Sequence, residues 1–203
     1  FKFIFHDGEL SQAIINTLIY SVVVVIFKNG LGLLLALAVN VKMRGRNLLR
    51  GIYYLPAVIS TIVIGLVFTR ILHPEGTLNT FLRMIGLGVL AQDWLIDPHI
   101  IMTVIAGVSV WQWTGYHMAI YLAGLQSIPS DYYEAAAIDG ATAVQRFRYI
   151  TLPLLAPSIN INVMLSLIGG IRGFSEVYAL TGGGPGNISQ VLTTEVLKRF
   201  GEG

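Results

Sequence analysis

Cysteine is missing from all 203 residues, and charge is scarce, with 13 Lys and Arg and 11 Asp and Glu making 12% of the chain. The first absence excludes a disulfide framework and a thiolate metal site, and it leaves the redox compartment unread. The second excludes an ordinary soluble domain, which carries about twice that share of charged residues. A formal net charge of +2 neither suggests nucleic acid nor excludes an anionic lipid surface. No Gly-x4-Gly-Lys-Ser/Thr run occurs, so the chain has no loop to cradle phosphates and is not itself an ATPase. His6, His73, His99 and His117 lack the i, i+4 spacing of metal ligands, and no nucleophile, base or metal cluster is spaced for a membrane-embedded enzyme.

What is abundant is apolar length. Hydrophobic residues make 54% of the chain and the mean hydropathy is +0.69. A hydrocarbon core about 30 Å thick takes roughly 20 apolar residues per helix, so the chain supplies about four spans, expected at 13–41, 52–72, 98–123 and 152–171. The fold class is all-α integral membrane. The first span is long, and a tilt or a kink at Gly30 would absorb the excess. Pro56 in the second is tolerable where neighbouring helices satisfy the freed carbonyl. Lys42, Arg44, Arg46 and Arg50 crowd one short loop without an acidic residue, which puts that loop in the cytoplasm. Span parity then places 73–97 outside, with Trp94 as an interfacial anchor, and returns the chain to the cytoplasm at Ser127. Residues 1–10, with Lys2, Asp7 and Glu9 among aromatics, suit an interfacial approach, and Asp97-Pro98 suits the cap and first residue of the third span.

The one long polar interruption is 128–153, IPSDYYEAAAIDGATAVQRFRYITLP. Ser130 can cap a helix through Ala135, Ala136 and Ala137; Gly140 breaks it; Thr142 with Gln145 three residues on has capping-box spacing. The pattern predicts helix, glycine turn, helix. Glu134-Ala135-Ala136, then Gly140, then Ile150-x-Leu152-Pro153 resembles the EAA loop of the permease subunits of binding-protein-dependent ABC importers of the type I fold. The flanks, Tyr121 to Pro129 and Thr181-Gly-Gly-Gly-Pro185, are similar to the first-type permease of the carbohydrate-import branch.

That resemblance implies a multi-pass subunit of a prokaryotic cell membrane, 1–203 being one transmembrane domain short of a helix at each end. It implies an ATPase-coupling loop at 128–151 carried by Glu134, Ala135, Ala136, Asp139, Gly140, Ile150, Leu152 and Pro153. The implied partners are cytoplasmic ATPase subunits that hold the ATP and magnesium, a second permease subunit, and an external solute-binding protein facing Gly182, Gly183, Gly184 and Pro185; no nucleic acid and no cofactor on this chain are expected. By their residues alone, Thr181 to Gly186 read as a flexible turn, and 128–151 as an interfacial connector with Tyr132, Tyr133, Ile138 and Phe147 resting on lipid.

Gln112, Trp113 and Tyr116 on the third span, with Asn160, Asn162 and Ser166 on the fourth, put aromatic faces beside hydrogen-bonding groups at membrane depth, a combination that suits a sugar. An aromatic belt and bonds between helices are the alternatives. Lys28 is expected to snorkel or pair, and Gly65, Gly107, Gly115 and Gly124 to admit close helix contacts. A permease for an ion, peptide or amino acid, or an ATP-independent channel or carrier, stays open as an alternative to sugar import.

Overall fold

A computed structural model describes residues 8–41 and 44–201. Lys2, His6, Asp7 and Lys42, named above, lie outside the described residues.

Helix α1 (Gly8–Asn40) begins five residues before its expected start and passes Gly30 without a break. At 1.5 Å per residue its 33 residues extend about 50 Å, beyond the thickness of a hydrocarbon core. Among the described residues it is the one helix long and apolar enough by itself to cross a membrane. Two bent pairs meet that test if each counts as a single span: α2 (Arg46–Val58) with α3 (Thr61–Ile71), and Ala143–Leu154 with Ala156–Arg172.

The expected second span is therefore two helices. Pro56, inside α2, has no N–H for the carbonyl four residues back and its ring crowds that carbonyl; the helix ends at Val58 and Ser60 is extended. The basic cluster is only partly a loop, since Arg46 and Arg50 belong to α2. Arg50 Nη2 donates to the Val39 carbonyl at 3.0 Å, covering one of the last carbonyls that α1 leaves without a helical partner.

Residues 73–97 contain α4 (Thr77–Met84) and a 3₁₀ turn at Gly88–Leu90. Buried Asn79 organises them: its Nδ2 donates to the Pro74 and Gln92 carbonyls, and its Oδ1 accepts from Trp94 Nε1 at 2.8 Å. Trp94 is thus tied into this segment by its indole N–H.

Helix α5 (Ile101–Gln126) starts three residues after Pro98. Pro98 is therefore not its first residue, and Asp97 closes the turn that leads into it, Oδ1 accepting from the His99 amide at 2.9 Å and the backbone oxygen from the Ile101 amide at 3.0 Å. Its 26 residues are long enough to span, but Ser109, Gln112, Trp113, Thr114, Tyr116 and His117 lower its hydropathy. Helices α6 (Ser130–Ile138), α7 (Ala143–Arg146) and α8 (Leu152–Leu154) follow.

The expected fourth span breaks at Leu155, where α9 (Ala156–Arg172) sets off at 65° to the segment before it. Pro157 cannot donate to the Pro153 carbonyl, and it disfavours helical backbone at Ala156. Helices α10 (Phe174–Thr181) and α11 (Leu192–Gly201) are the last two among the described residues.

The fold divides into two compact units. The first holds the N-terminal part of α1, α3, α4, the start of α5, the end of α9, α10 and α11. Its core contains Tyr20, Ile64, Ile101, Ile105, Val177 and Val191. Tyr20 Oη donates to Ser109 Oγ at 2.9 Å, and Asn16 Nδ2 reaches the Ile188 and Gln190 carbonyls at 2.8 Å. Here a Cβ on Gly65 would run into Ala179, so glycine lets α10 lie along α3.

The second unit holds the rest of α1, α2, the remainder of α5, α6 to α8 and most of α9, around Ala36, Val39, Met118, Tyr121, Leu125 and Leu155. Gly115 admits the Tyr53 backbone and Gly124 admits Ser158 and Leu155, as expected of both. Gly107 does not behave this way: nothing lies within 4 Å of a Cβ built on it.

Gly124→Leu is accordingly expected to overpack the second unit and destabilise it by about 1–3 kcal/mol. Gly107→Ala is expected to be neutral or slightly stabilising, because it only raises helix propensity. Thermal unfolding of the detergent-purified protein compares them, and equal midpoints for the two variants would refute the assignment of contacts.

Candidate coupling, solute-path and external sites

Helix, glycine turn and helix are all present between 130 and 154. Ser130 is not the cap expected of it: Pro129 takes the N-cap position, and Ser130 Oγ instead lies 3.5 Å from Asp131 Oδ1. At the other end of α6 the backbone closes as a Schellman turn. The Ala141 amide donates to the Ala136 carbonyl at 2.9 Å and the Gly140 amide to Ala137 at 3.1 Å, with Gly140 at φ +73°. The capping box follows at once. The Thr142 amide donates to Gln145 Oε1 at 2.7 Å and the Gln145 amide to Thr142 Oγ1 at 3.3 Å.

From α7 the chain continues through a π-helical turn, Phe147–Thr151, into α8. Sequence reasoning did not find this turn, which has no signature of its own. Of the expected coupling residues, Glu134, Ala135, Asp139, Gly140, Leu152 and Pro153 are exposed, while Ala136 and Ile150 are half-buried. The loop also turns large apolar groups outward: Ile138 is 88% exposed, Val144 74% and Tyr149 70%. Tyr133 is half-buried and bonds through its hydroxyl to Thr151 Oγ1.

The six residues expected along a solute path separate by environment. Trp113 and Tyr116 are half-buried and meet edge to face with centroids 6.1 Å apart; Tyr116 meets the His117 ring the same way at 5.8 Å. Asn160 is exposed. Gln112, Asn162 and Ser166 are buried. Asn162 Oδ1 lies 2.7 Å from His117 Nδ1, joining α9 to α5, and Ser166 Oγ accepts from Asn29 Nδ2 at 2.8 Å, joining α9 to α1. Two of the six therefore make the bonds between helices that were the alternative for them. Lys28 is 4% exposed, so it does not snorkel. Among the described residues no group of three or more His, Cys, Asp or Glu side chains gathers to hold a metal.

The glycine-rich run is hydrogen-bonded throughout. Gly182 caps α10 in the left-handed conformation and its amide donates to the Tyr178 carbonyl at 3.1 Å. The Gly184 amide donates to the Thr181 carbonyl at 3.0 Å, and Ser189 Oγ donates to the Gly184 carbonyl at 2.8 Å. Gly183 is buried, and a Cβ there would meet the Gln190 side chain. Pro185 is exposed beside it. Thr181, Gly184 and Pro185 of this run, with His73, Asp93 and Trp94, line a cavity of about 260 Å³ in the first unit.

The chain matches known proteins over most of its length. Residues 28–199 match the family model described as "binding-protein-dependent transport system inner membrane component". The chain is 39% identical over 198 residues to the probable ABC transporter permease protein YurN of Bacillus subtilis, covering 96% of this chain and 68% of that protein. It is 36% identical over 194 residues to the multiple sugar-binding transport system permease protein MsmF of Streptococcus mutans, covering 95% and 66%. The crystal structure of a bacterial alginate ABC transporter, in complex with alginate pentasaccharide-bound periplasmic protein, superposes with a TM-score of 0.87 at 29% identity, covering 98% of this chain and 70% of that one. This chain thus spans about two thirds of the length of the curated relatives it matches. The match takes in α1 from Lys28, the whole glycine-turn hairpin and the glycine-rich run, and on that evidence the chain belongs to the family of binding-protein-dependent transport system inner membrane components.

Proposed function

We propose that this chain is one permease subunit of an ATP-driven, binding-protein-dependent importer, and that it forms half of the path for a sugar or sugar-like solute. The observation that carries the proposal is the hairpin of 130–154. Its two helices are set by a Schellman turn and a capping box, and it offers Glu134, Ile138, Val144 and Tyr149 outward for a partner to cover. The solute class draws support from relatives named for sugars and from the ring pair Trp113 and Tyr116.

In this reading α1, the α2–α3 pair, α5 and the bent run from α7 to α9 are the four spans of a multi-pass subunit. Cytoplasmic ATPase subunits, separate chains that hold the ATP and magnesium, grip α6. A second permease subunit completes the path, and an external solute-binding protein docks at the face that bears Gly182, Gly183, Gly184 and Pro185. Closure of the ATPases moves the hairpin as a lever, and the spans rock between inward and outward openings. This subunit itself makes and breaks no covalent bond.

Sidedness is tested by single-cysteine labelling, which the cysteine-free sequence makes direct. In sealed right-side-out vesicles, a cysteine at residue 186 is expected to react with an impermeant maleimide and one at residue 139 to stay protected. The reverse pattern would overturn the topology.

Coupling is tested by Gly140→Val and Glu134→Ala in the reconstituted importer. The valine costs about 1 kcal/mol or more at φ +73° and misaims α7. Removal of the glutamate, which we pair with a basic group of the ATPase, costs about 2–5 kcal/mol. Both variants are expected to hydrolyse ATP without import; wild-type co-purification of the ATPase together with unaltered solute-stimulated hydrolysis in both would reduce the hairpin to a connector.

For the path, a panel of sugars tested against the cognate external binding protein selects the solute. Trp113→Ala with Tyr116→Ala is then expected to lower its uptake at least ten-fold, with ATPase association intact. Wild-type uptake at every concentration would remove these rings from the path.

A further inference from the structure

The backbone joins α6 to α7 through the Gly140 turn, where a Cβ would meet nothing within 4 Å. A second tie crosses the hairpin. Tyr133 Oη on α6 lies 3.0 Å from Thr151 Oγ1, and Thr151 is buried. Thr151 Oγ1 itself donates to the Arg146 carbonyl at 3.4 Å. A hydroxyl carries one proton, so the phenol supplies the proton of the shorter contact. The run is therefore Tyr133 O–H to Thr151 O–H to Arg146 C=O. It closes over the π turn of Phe147–Thr151, where the Leu152 amide reaches back five residues to the Phe147 carbonyl. Such a turn departs from the i→i+4 ladder, and the Thr151 hydroxyl serves a carbonyl at its head.

We propose that Tyr133 and Thr151 are positioning residues that latch α6 to the head of the following span, so that α6 and residues 147–154 move as one body when the ATPase pulls on α6. This rests on the coupling role proposed above for the hairpin. Without the latch, a displacement of α6 can be taken up at the Gly140 turn before it reaches Leu152 and the bend at Leu155. With the latch, two ties at different points of α6 fix its orientation.

The test uses the full importer with its own ATPase, and spin labels at residues 137 and 154 of the cysteine-free permease. The distance between the labels is recorded without nucleotide and after trapping with magnesium, ATP and orthovanadate. The wild type is expected to give one narrow distance, the same in both states. Tyr133→Phe keeps the ring and loses the hydroxyl; it is expected to broaden the distribution, raising the displaced population about five-fold, the effect of one neutral hydrogen bond on a two-state balance. Thr151→Val is expected to match it, Thr151→Ser to restore the narrow distance, and the double variant Tyr133→Phe/Thr151→Val to be no broader than either single change.

Retention of the ATPase and basal hydrolysis are expected to stay unchanged in all of them. A narrow, state-independent distance in Tyr133→Phe overturns the latch, as does a wild-type distance that already shifts on trapping. Loss of the ATPase from Tyr133→Phe would make the tyrosine a partner contact and also overturns it. Gly140→Val keeps the two proposals apart: normal coupling there defeats the hairpin's role altogether, whereas uncoupling there beside a silent Tyr133→Phe defeats only the latch.

Discussion

Asn29 is the point on which the second unit depends. Its Nδ2 donates to the Val25 carbonyl at 2.7 Å and to Ser166 Oγ at 2.8 Å, and its Oδ1 accepts from Tyr121 Oη at 2.7 Å. One amide thereby ties α1, α5 and α9 together. In lipid no water waits to replace such bonds, so a polar side chain at this depth must find protein partners or cost several kcal/mol. Apolar area contributes little to the choice between helix and lipid contacts, since lipid tails are as apolar as leucine. What remains is close approach and polar bonding. Gly32 against His117, Gly115 against Tyr53 and Gly124 against Ser158 supply the first, while Asn29 and the Asn162–His117 pair supply the second. The hairpin of 130–154 is built out from helices held in this way, with Leu155 fully buried at its base.

The parts legible in the sequence are those decided within about six residues. Gly140, Thr142 and Gln145 act on amides and carbonyls next to themselves, and Asp97 closes the turn before α5 in the same local way. The failures involve longer range. Pro56 signals a freed carbonyl, but whether a neighbour re-satisfies it or the helix breaks is decided by packing, and the helix breaks here as it does before Pro157. Asn79 gives no signal in the sequence, because its partners, Pro74, Gln92 and Trp94, are defined only once the segment is folded. Arg50 read as one charge in a basic loop, whereas its position four residues into α2 lets it cap the end of α1.

The glycines show the same limit from another side. Composition marks a helix glycine as a possible contact, and Gly65, Gly115 and Gly124 are contacts. It cannot say what comes close, so Gly107 was included without a neighbour, and Gly32 and Gly170 were passed over although His117 and Ser21 press on them. Asn162 and Ser166 carried two readings for a related reason. A polar group at membrane depth needs a partner, and only the neighbouring helices decide whether that partner is protein or a passing solute.

The outward face of the hairpin runs against the economy of the rest. Elsewhere large apolar groups exposed on long helices have lipid to cover them, and polar groups such as Asn29 and Asn162 are turned inward and bonded. On 130–154 a charged and polar segment, with Asp131, Glu134, Asp139, Gln145, Arg146 and Arg148, also carries Ile138, Val144 and Tyr149 outward. Lipid suits the apolar members and strands the carboxylates; water suits the carboxylates and leaves three large apolar side chains wet. A protein cleft with an apolar floor and basic walls satisfies both kinds at once, because each carboxylate can be paired while each apolar side chain is covered. The Schellman turn and the capping box complete this account, since they satisfy the backbone of the hairpin locally and leave its side chains available to a partner.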